Sequence, residues 1–370
     1  MKSMVQHLVW LCLLLGWSVA GADPLAPQIE SVEAWPQADL LFRRDPRWLG
    51  GDGAYSLDLG GGRVLWLFGD SFVVPRAGVG RAQAAIVRNS VAIQQGYDPS
   101  TASLTFGWGA KGGEPASFFP DREDGVFYWP GHAILLDRTL LVFLMKVRSA
   151  KNELGFETCG WDAMAISNPA DPPEQWRMRL MECEQNDFGV LVGSATIMRQ
   201  GEDLYALSAQ EPGHSIYAVR WPVAQALAGN LTDPSWWSVV QDQPGKWVPQ
   251  SQLSAKPSPL FTGGAVELTV HRDPRLQRWI SIQTEGFGAA DLAMRSAAEL
   301  TGPWTPLQKI YHPPESNDKR LMIYAGKCHP EQLGADWVLT YVANSFSFEH
   351  LLATPEIYYP HFLRVRLKRP

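Results

Sequence analysis

Two carboxylates stand in glycine-rich settings near the start of the chain: Asp52 in Gly51-Asp52-Gly53 and Asp70 in Gly69-Asp70-Ser71. Between them lie a strand-like run, a Gly60-Gly61-Gly62 turn and the very apolar Val64-Leu65-Trp66-Leu67-Phe68. A hairpin over this stretch puts one carboxylate at the outer end of each arm, both at the same edge. Paired carboxyl groups cleave glycosidic bonds: one, protonated, donates to the leaving oxygen while the other activates water or attacks the sugar. The plainer reading of either residue is a turn aspartate capping its own backbone. Against it, flanking glycines let a substrate approach the main chain closely, and a charge that ends an apolar strand needs a partner.

The same pattern recurs along the chain: a small-residue start, a strand, a polar turn, a second apolar strand. Copies begin near residues 51, 131, 193, 263 and 327, the later four reading "GHAILLDRTLLVFLMK", "GSATIMRQGEDLYALSAQE", "GGAVELTVHRDPRLQRWISIQTEG" and "KCHPEQLGADWVLTYVAN". Segments such as "AISNPADPPEQW" and "AMRSAAELTGPWTPLQKIY" read as outer strands followed by Pro/Gly-rich loops and Trp. A spacing of roughly 60 to 80 residues suits a four-stranded propeller blade with long outer connections. The expected fold is all-β: a five-bladed β-propeller forming a single domain over 23–370. A β-sandwich gives no reason for five like starts.

In that fold the starts and ends of the five hairpins surround one channel mouth. They are Asp52 and Asp70, His132 and Lys146, Ser194 and Glu211, Glu267 and Glu285, His329 and Asn344. Asp52 and Asp70 are the expected central acids, with Glu285 first and Glu267 second as the acid approaching from copy four. His132, His329, Lys146, Glu211 and Asn344 are candidate substrate contacts, and Trp129 and Tyr324 are placed to stack on a sugar. Each also has a plainer reading: a packed histidine, a solvated lysine, a loop glutamate before Pro212, a solvated strand end. A wide channel mouth with room for water favours an inverting geometry.

Bulk features set the context. Lys2, the apolar run Leu8 to Trp17 and the small residues Ala20-Gly21-Ala22 read as a signal peptide over 1–22, which predicts a secreted or periplasmic protein. No later apolar run reaches the length of a transmembrane helix. The formal net charge of −6 argues against a nucleic-acid partner. There is no nucleophile elbow, Walker loop or dinucleotide fingerprint, and the histidine spacing fits no zinc motif, so neither cofactor nor metal is expected. Cys159 and Cys183 are expected to bond around a Pro-rich outer loop, leaving Cys328 odd. The expected protein is a monomer acting on an oligosaccharide or polysaccharide.

The stretches "WLGGDGAYSLDL", "GRVLWLFGDSF", "LTGPWTPLQKIY", "YAGKCHPEQL" and "WVLTYVAN" resemble the domain of unknown function 4185 (DUF4185) family. Part of that family is classed as endo-D-arabinanases of glycoside hydrolase family 183. The resemblance runs from Trp48 to Tyr341 and implies a five-bladed propeller that hydrolyses furanosidic linkages such as those of arabinan. The family's paired blade-one aspartates correspond to Asp52 and Asp70, and its third acid stays open among Glu267, Glu285 and Glu211. Rival readings are a propeller that binds glycans without cleaving them and a structural envelope protein. Several converging carboxylates favour the hydrolase.

Overall fold

The hairpin that carries the two aspartates pairs Tyr55–Gly60 with Arg63–Phe68. Its turn places Gly60, Gly61 and Gly62 all at positive φ, a conformation side chains disfavour. Tyr55 faces Leu67, and just beyond it Gly51 faces Ser71, so Asp52 and Asp70 lie on facing arms between two paired positions. The computed structural model describes residues 27–368 apart from 153, 240–243, 333 and 335. The expected signal peptide over 1–22 lies outside the described residues.

Among the described residues, five sheets have four or more strands, and within each the pairing is antiparallel. The first adds Ser90–Gln95 and Ser103–Gly107 to the aspartate hairpin. The second comprises Phe127–Leu136, Thr139–Ser149, Phe156–Ile166 and Met178–Leu180. The third is built outward from Val190–Gln200, Asp203–Gln210 and Ser215–Pro222. The fourth runs Thr269–Asp273, Arg278–Glu285, Asp291–Ala297 and Gln308–Tyr311. The fifth takes Leu321–Cys328, Trp337–Ser345 and Pro360–Leu367, and is completed at its edge by Ile29–Ala34 from the other end of the chain.

The core is divided in the same way. Leu65 and Val91 of the first sheet pack with Leu140 and Val142 of the second, and Phe143 and Trp161 of the second with Leu204 and Trp221 of the third. Leu207 and Ile216 meet Val270 and Trp279; Ile280 and Ile282 meet Leu339 and Leu363. Trp66 and Phe68 of the first sheet pack with Val338 and Phe362 of the fifth, returning the packing to its start. Each such side chain contributes about 1.5–3 kcal/mol by leaving water.

The first strands approach one another closely enough to dictate glycine. A Cβ on Gly131 would lie 2.5 Å from the Gly193 carbonyl oxygen. Register irregularities fall at Pro130/Ala133, Leu191/Thr196 and Tyr324/Lys327, at comparable places in three first strands.

Two expectations are corrected here. The first strands begin before the expected starts, at Phe127 against 131, Val190 against 193 and, with the largest offset, Leu321 against Lys327 in copy five. Lys327 and His329 therefore lie toward the end of the fifth hairpin opposite Asn344, which pairs with Met322, instead of beside it. Cys159, Cys183 and Cys328 are all free thiols. Met164 faces Leu180 and Met181 donates to Ala163, so continuing that register sets Cys183 beside Trp161 rather than Cys159. Gln185 occupies the space at Gly160 instead, bonding both Trp161 backbone groups. No helix of the described residues is long and apolar enough to cross a membrane.

Candidate active site

Asp52 is the hub of the site. Its Oδ2 accepts from the Tyr324 hydroxyl at 2.7 Å and from the Tyr358 hydroxyl at 3.0 Å. Asn344 Nδ2 donates to the Tyr324 oxygen at 3.1 Å, which leaves the phenolic proton directed at Asp52. Oδ1 lies against Gly69, where a Cβ would come within 2.4 Å of it. Burial, then Glu267, then Asp70 push the Asp52 carboxyl up to about 8, although the two phenols pull the other way. Asp52 thus holds its proton at neutral pH.

Glu267 comes from the irregular segment before Thr269–Asp273, beside Gly53. Its Oε1 accepts from Lys327 Nζ at 3.2 Å, and this lysine is fully buried, its ammonium 4.2 Å from the centre of the Tyr55 ring. Burial pushes the Lys327 ammonium down, while Glu267 and Asp52 hold it up. A buried cation is tolerated only with such a partner.

Asp70 faces the second sheet. Trp129 Nε1 donates to its Oδ1 at 2.9 Å and Arg88 to its Oδ2 at 3.2 Å. Burial raises its carboxyl above the ordinary range, and Arg88 opposes that. Trp129 packs edge-on against Phe156, so it serves Asp70 with its nitrogen as well as offering a ring.

The chain therefore brings Asp52, Asp70, Glu267, Tyr324, Asn344 and Trp129 together, and the other expected residues stand apart. Glu285 is a half-exposed strand end 3.9 Å from Lys309, a lysine bound more closely by Asp291 at 2.8 Å. Glu211 lies 3.6 Å from His214 Nδ1, its carboxyl raised by burial. Lys146 lies 3.6 Å from Asp162 and is committed to it.

His132 sits below the rim, its Nδ1 donating to the Ala133 carbonyl at 2.7 Å and its ring edge-on to Tyr55. Burial pushes it down to about 4, so it is neutral. His329 is not a mouth residue. It is fully buried, with Nδ1 2.6 Å from Ser56 Oγ and Nε2 2.7 Å from Thr340 Oγ1, and its ring packs against Trp66. Both ring nitrogens are satisfied by protein, which makes it a packing residue. Ser194 is likewise interior: its carbonyl accepts from Tyr55 and its Oγ from Ala209 N.

Sequence reasoning missed Tyr358 and Arg88; Lys327, open to reading as a contact for sugar hydroxyls or as a surface charge, is instead the buried partner of Glu267. Nothing in the repeat flags Tyr358, which lies outside all five hairpins at a positive φ of 65°. Arg88 was discoverable as the nearest cation ahead of the strand Ser90–Gln95.

A family model, domain of unknown function DUF5005, matches residues 37–367. The chain belongs to the DUF5005 family. That match names DUF5005 and not the DUF4185 family of the sequence resemblance. No curated protein matches the chain in sequence. Among solved structures, a provisionally assigned hydrolase from Bacteroides ovatus superposes with a TM-score of 0.71 at 17% identity, covering 90% of each chain. An exo-β-1,3-galactanase from Phanerochaete chrysosporium, solved with β-1,3-galactotriose, superposes at 0.51 with 12% identity over 86% of this chain and 63% of its own. An exo-1,5-α-L-arabinanase from a bovine ruminal metagenomic library gives 0.47 at 11% identity, over 88% and 95%. What the first two share with this DUF5005 chain is the fold.

Proposed function

We propose that this DUF5005 protein is an exported, single-domain, five-bladed β-propeller glycoside hydrolase acting on a furanoside-containing polysaccharide of the arabinan kind. The observation that carries the reading is the convergence of Asp52, Asp70 and Glu267 from two different sheets, with Asp52 neutral and the other two each bonded to a cation. Support for five blades comes from five successive sheets whose apolar clusters lie between neighbours. The likeness in fold to an exo-β-1,3-galactanase supports carbohydrate as the substrate class. The arabinan preference rests on the sequence resemblance.

Asp52 is the proton donor. With Oδ2 occupied by two phenols, Oδ1 presents the proton to the leaving glycosidic oxygen. Glu267, seated on Lys327, is the carboxylate that activates water or attacks the sugar. Asp70 adds negative charge that keeps Asp52 protonated and, with Arg88 and Trp129, forms the side of the site toward the second sheet. Donors and acids so arranged stabilise charge only as the glycosidic bond breaks.

The test compares substrates by leaving group. Asp52→Asn should lose cleavage of arabinan while keeping cleavage of an aryl arabinofuranoside whose phenolate leaves without protonation. Equal loss on both substrates would remove Asp52 from the proton-donor role.

A further inference from the structure

Among the described residues the exposed phenylalanines are Phe287, Phe346 and Phe348, at 78%, 51% and 55% exposure. They are far apart in sequence from Asp52, and Phe287 is remote from the other two, yet they fall together. Phe287 and Phe346 pack edge to face with ring centroids 5.7 Å apart. Phe348, two residues on, stacks on Phe72 at 6.3 Å. Phe72 in turn meets the Tyr358 ring at 5.6 Å, and Tyr358 donates to Asp52. On the other side, Phe346 follows Asn344, which bonds Tyr324 on the same carboxylate. The loop bearing Phe287 is tied to this rim because Ile323 N donates to the Gly288 carbonyl at 3.0 Å.

We propose that Phe348, Phe346 and Phe287 form a stacking track that binds successive sugar residues of an extended glycan leading out from Asp52. The inference rests on the glycoside-hydrolase reading and adds to it a polymer-binding subsite. The Phe287–Phe346 pair and Phe348, two residues further along the chain, offer exposed aromatic faces of the kind that stack on the apolar faces of sugars. Buried Phe72 and Tyr358 link Phe348 to Asp52 beneath the surface. The hydroxyls of a stacked sugar need polar partners, and the Asp318–Arg320 ion pair, whose Arg320 carbonyl accepts from Phe346 N, stands beside Phe346. A second copy of the chain fits poorly. Three partly exposed rings offer roughly 300 Å², against about 800 Å² per partner in a stable protein interface. A lipid surface would want basic residues around the rings, and here the neighbouring arginine is already paired with Asp318.

The test uses the full chain carrying Asp52→Asn, so that binding is read without cleavage, in gels containing arabinan, arabinogalactan or galactan. Phosphatidylcholine vesicles serve as the alternative probe, and thermal melts check folding. Adding Phe287→Ala and Phe346→Ala together should weaken retardation by the bound polymer roughly tenfold, two stacking contacts being removed. The same pair of substitutions in the parent should leave cleavage of a short aryl arabinofuranoside unchanged. Retardation that persists after both substitutions overturns the track while leaving the hydrolase reading intact. Phe-dependent retardation with no cleavage by the parent upholds the track and overturns the hydrolase. Retardation by none of the polymers, or Phe-dependent binding to vesicles instead, overturns the track.

Discussion

Tyr358 reaches Asp52 across 306 residues of chain, its hydroxyl 3.0 Å from Asp52 Oδ2 and 3.0 Å from the Asp70 carbonyl oxygen. Tyr324 meets the same carboxylate oxygen at 2.7 Å. One oxygen is thereby committed to protein; in the proposed role Oδ1 meets the substrate, as a proton donor requires.

Both phenols lower the Asp52 pKa. Tyr324→Phe and Tyr358→Phe should therefore each keep Asp52 protonated to higher pH and move the basic limb of the kcat/KM profile upward. Each loses a hydrogen bond worth about 1 kcal/mol of stability. A pH profile identical to the parent's in both variants would contradict the coupling.

Asp52 binds its proton more tightly folded than unfolded. Between its ordinary value of 3.8 and about 8 the folded protein holds a proton that the unfolded chain has released. This group's contribution to stability is therefore greatest below the unfolded value and is lost as pH rises through that window. Asp52→Asn has no such titration. Its melting temperature should match the parent's near the acid end and exceed it increasingly toward the alkaline end. A constant difference across the range would show that Asp52 titrates normally.

Lys327 has no exposed surface and Glu267 as its partner. Glu267→Gln strands the ammonium, and unfolding in urea should show a loss of about 3 kcal/mol, the cost of breaking a buried pair from one side. Combining it with Lys327→Met should restore part of that loss. Additive losses would mean that the pair is not coupled.

The thiols at Cys159 and Cys183 should both alkylate without reductant once the chain is unfolded, and dithiothreitol should leave the melting temperature unchanged. In the folded protein Cys159 should react first. Burial pushes Cys183 up to about 12, and its side chain packs against the core between the second and third sheets. A peptide containing both cysteines linked would overturn the register described for this region.

The aspartate hairpin was legible because its signals are local: three turn glycines, a very apolar second arm and two flanked acids within one stretch. The repeat likewise located the hairpins of the second, third and fourth sheets. It misplaced the fifth, because Lys327 and Cys328 look like a start and are in fact the end of Leu321–Cys328. That shift carried His329 from the rim into the interior. The expected order, Glu285 ahead of Glu267, is reversed: both flank strands of one hairpin, and only the buried Lys327 draws Glu267 to Asp52. Tyr358 was beyond reach, since its partner is set by closure of the chain ends and by no nearby pattern. The edge strand Ile29–Ala34 was missed for the same reason.

The central claim is that Asp52 and Glu267 cleave the glycosidic bond and that Glu285 does not. The most direct measurement is the initial rate of reducing-sugar release from arabinan by the parent, Asp52→Asn, Glu267→Gln and Glu285→Gln, each verified as folded. The account predicts rates lowered by about 10²–10⁴-fold for Asp52→Asn and Glu267→Gln, and a parental rate for Glu285→Gln. Parental rates from Asp52→Asn and Glu267→Gln would contradict it.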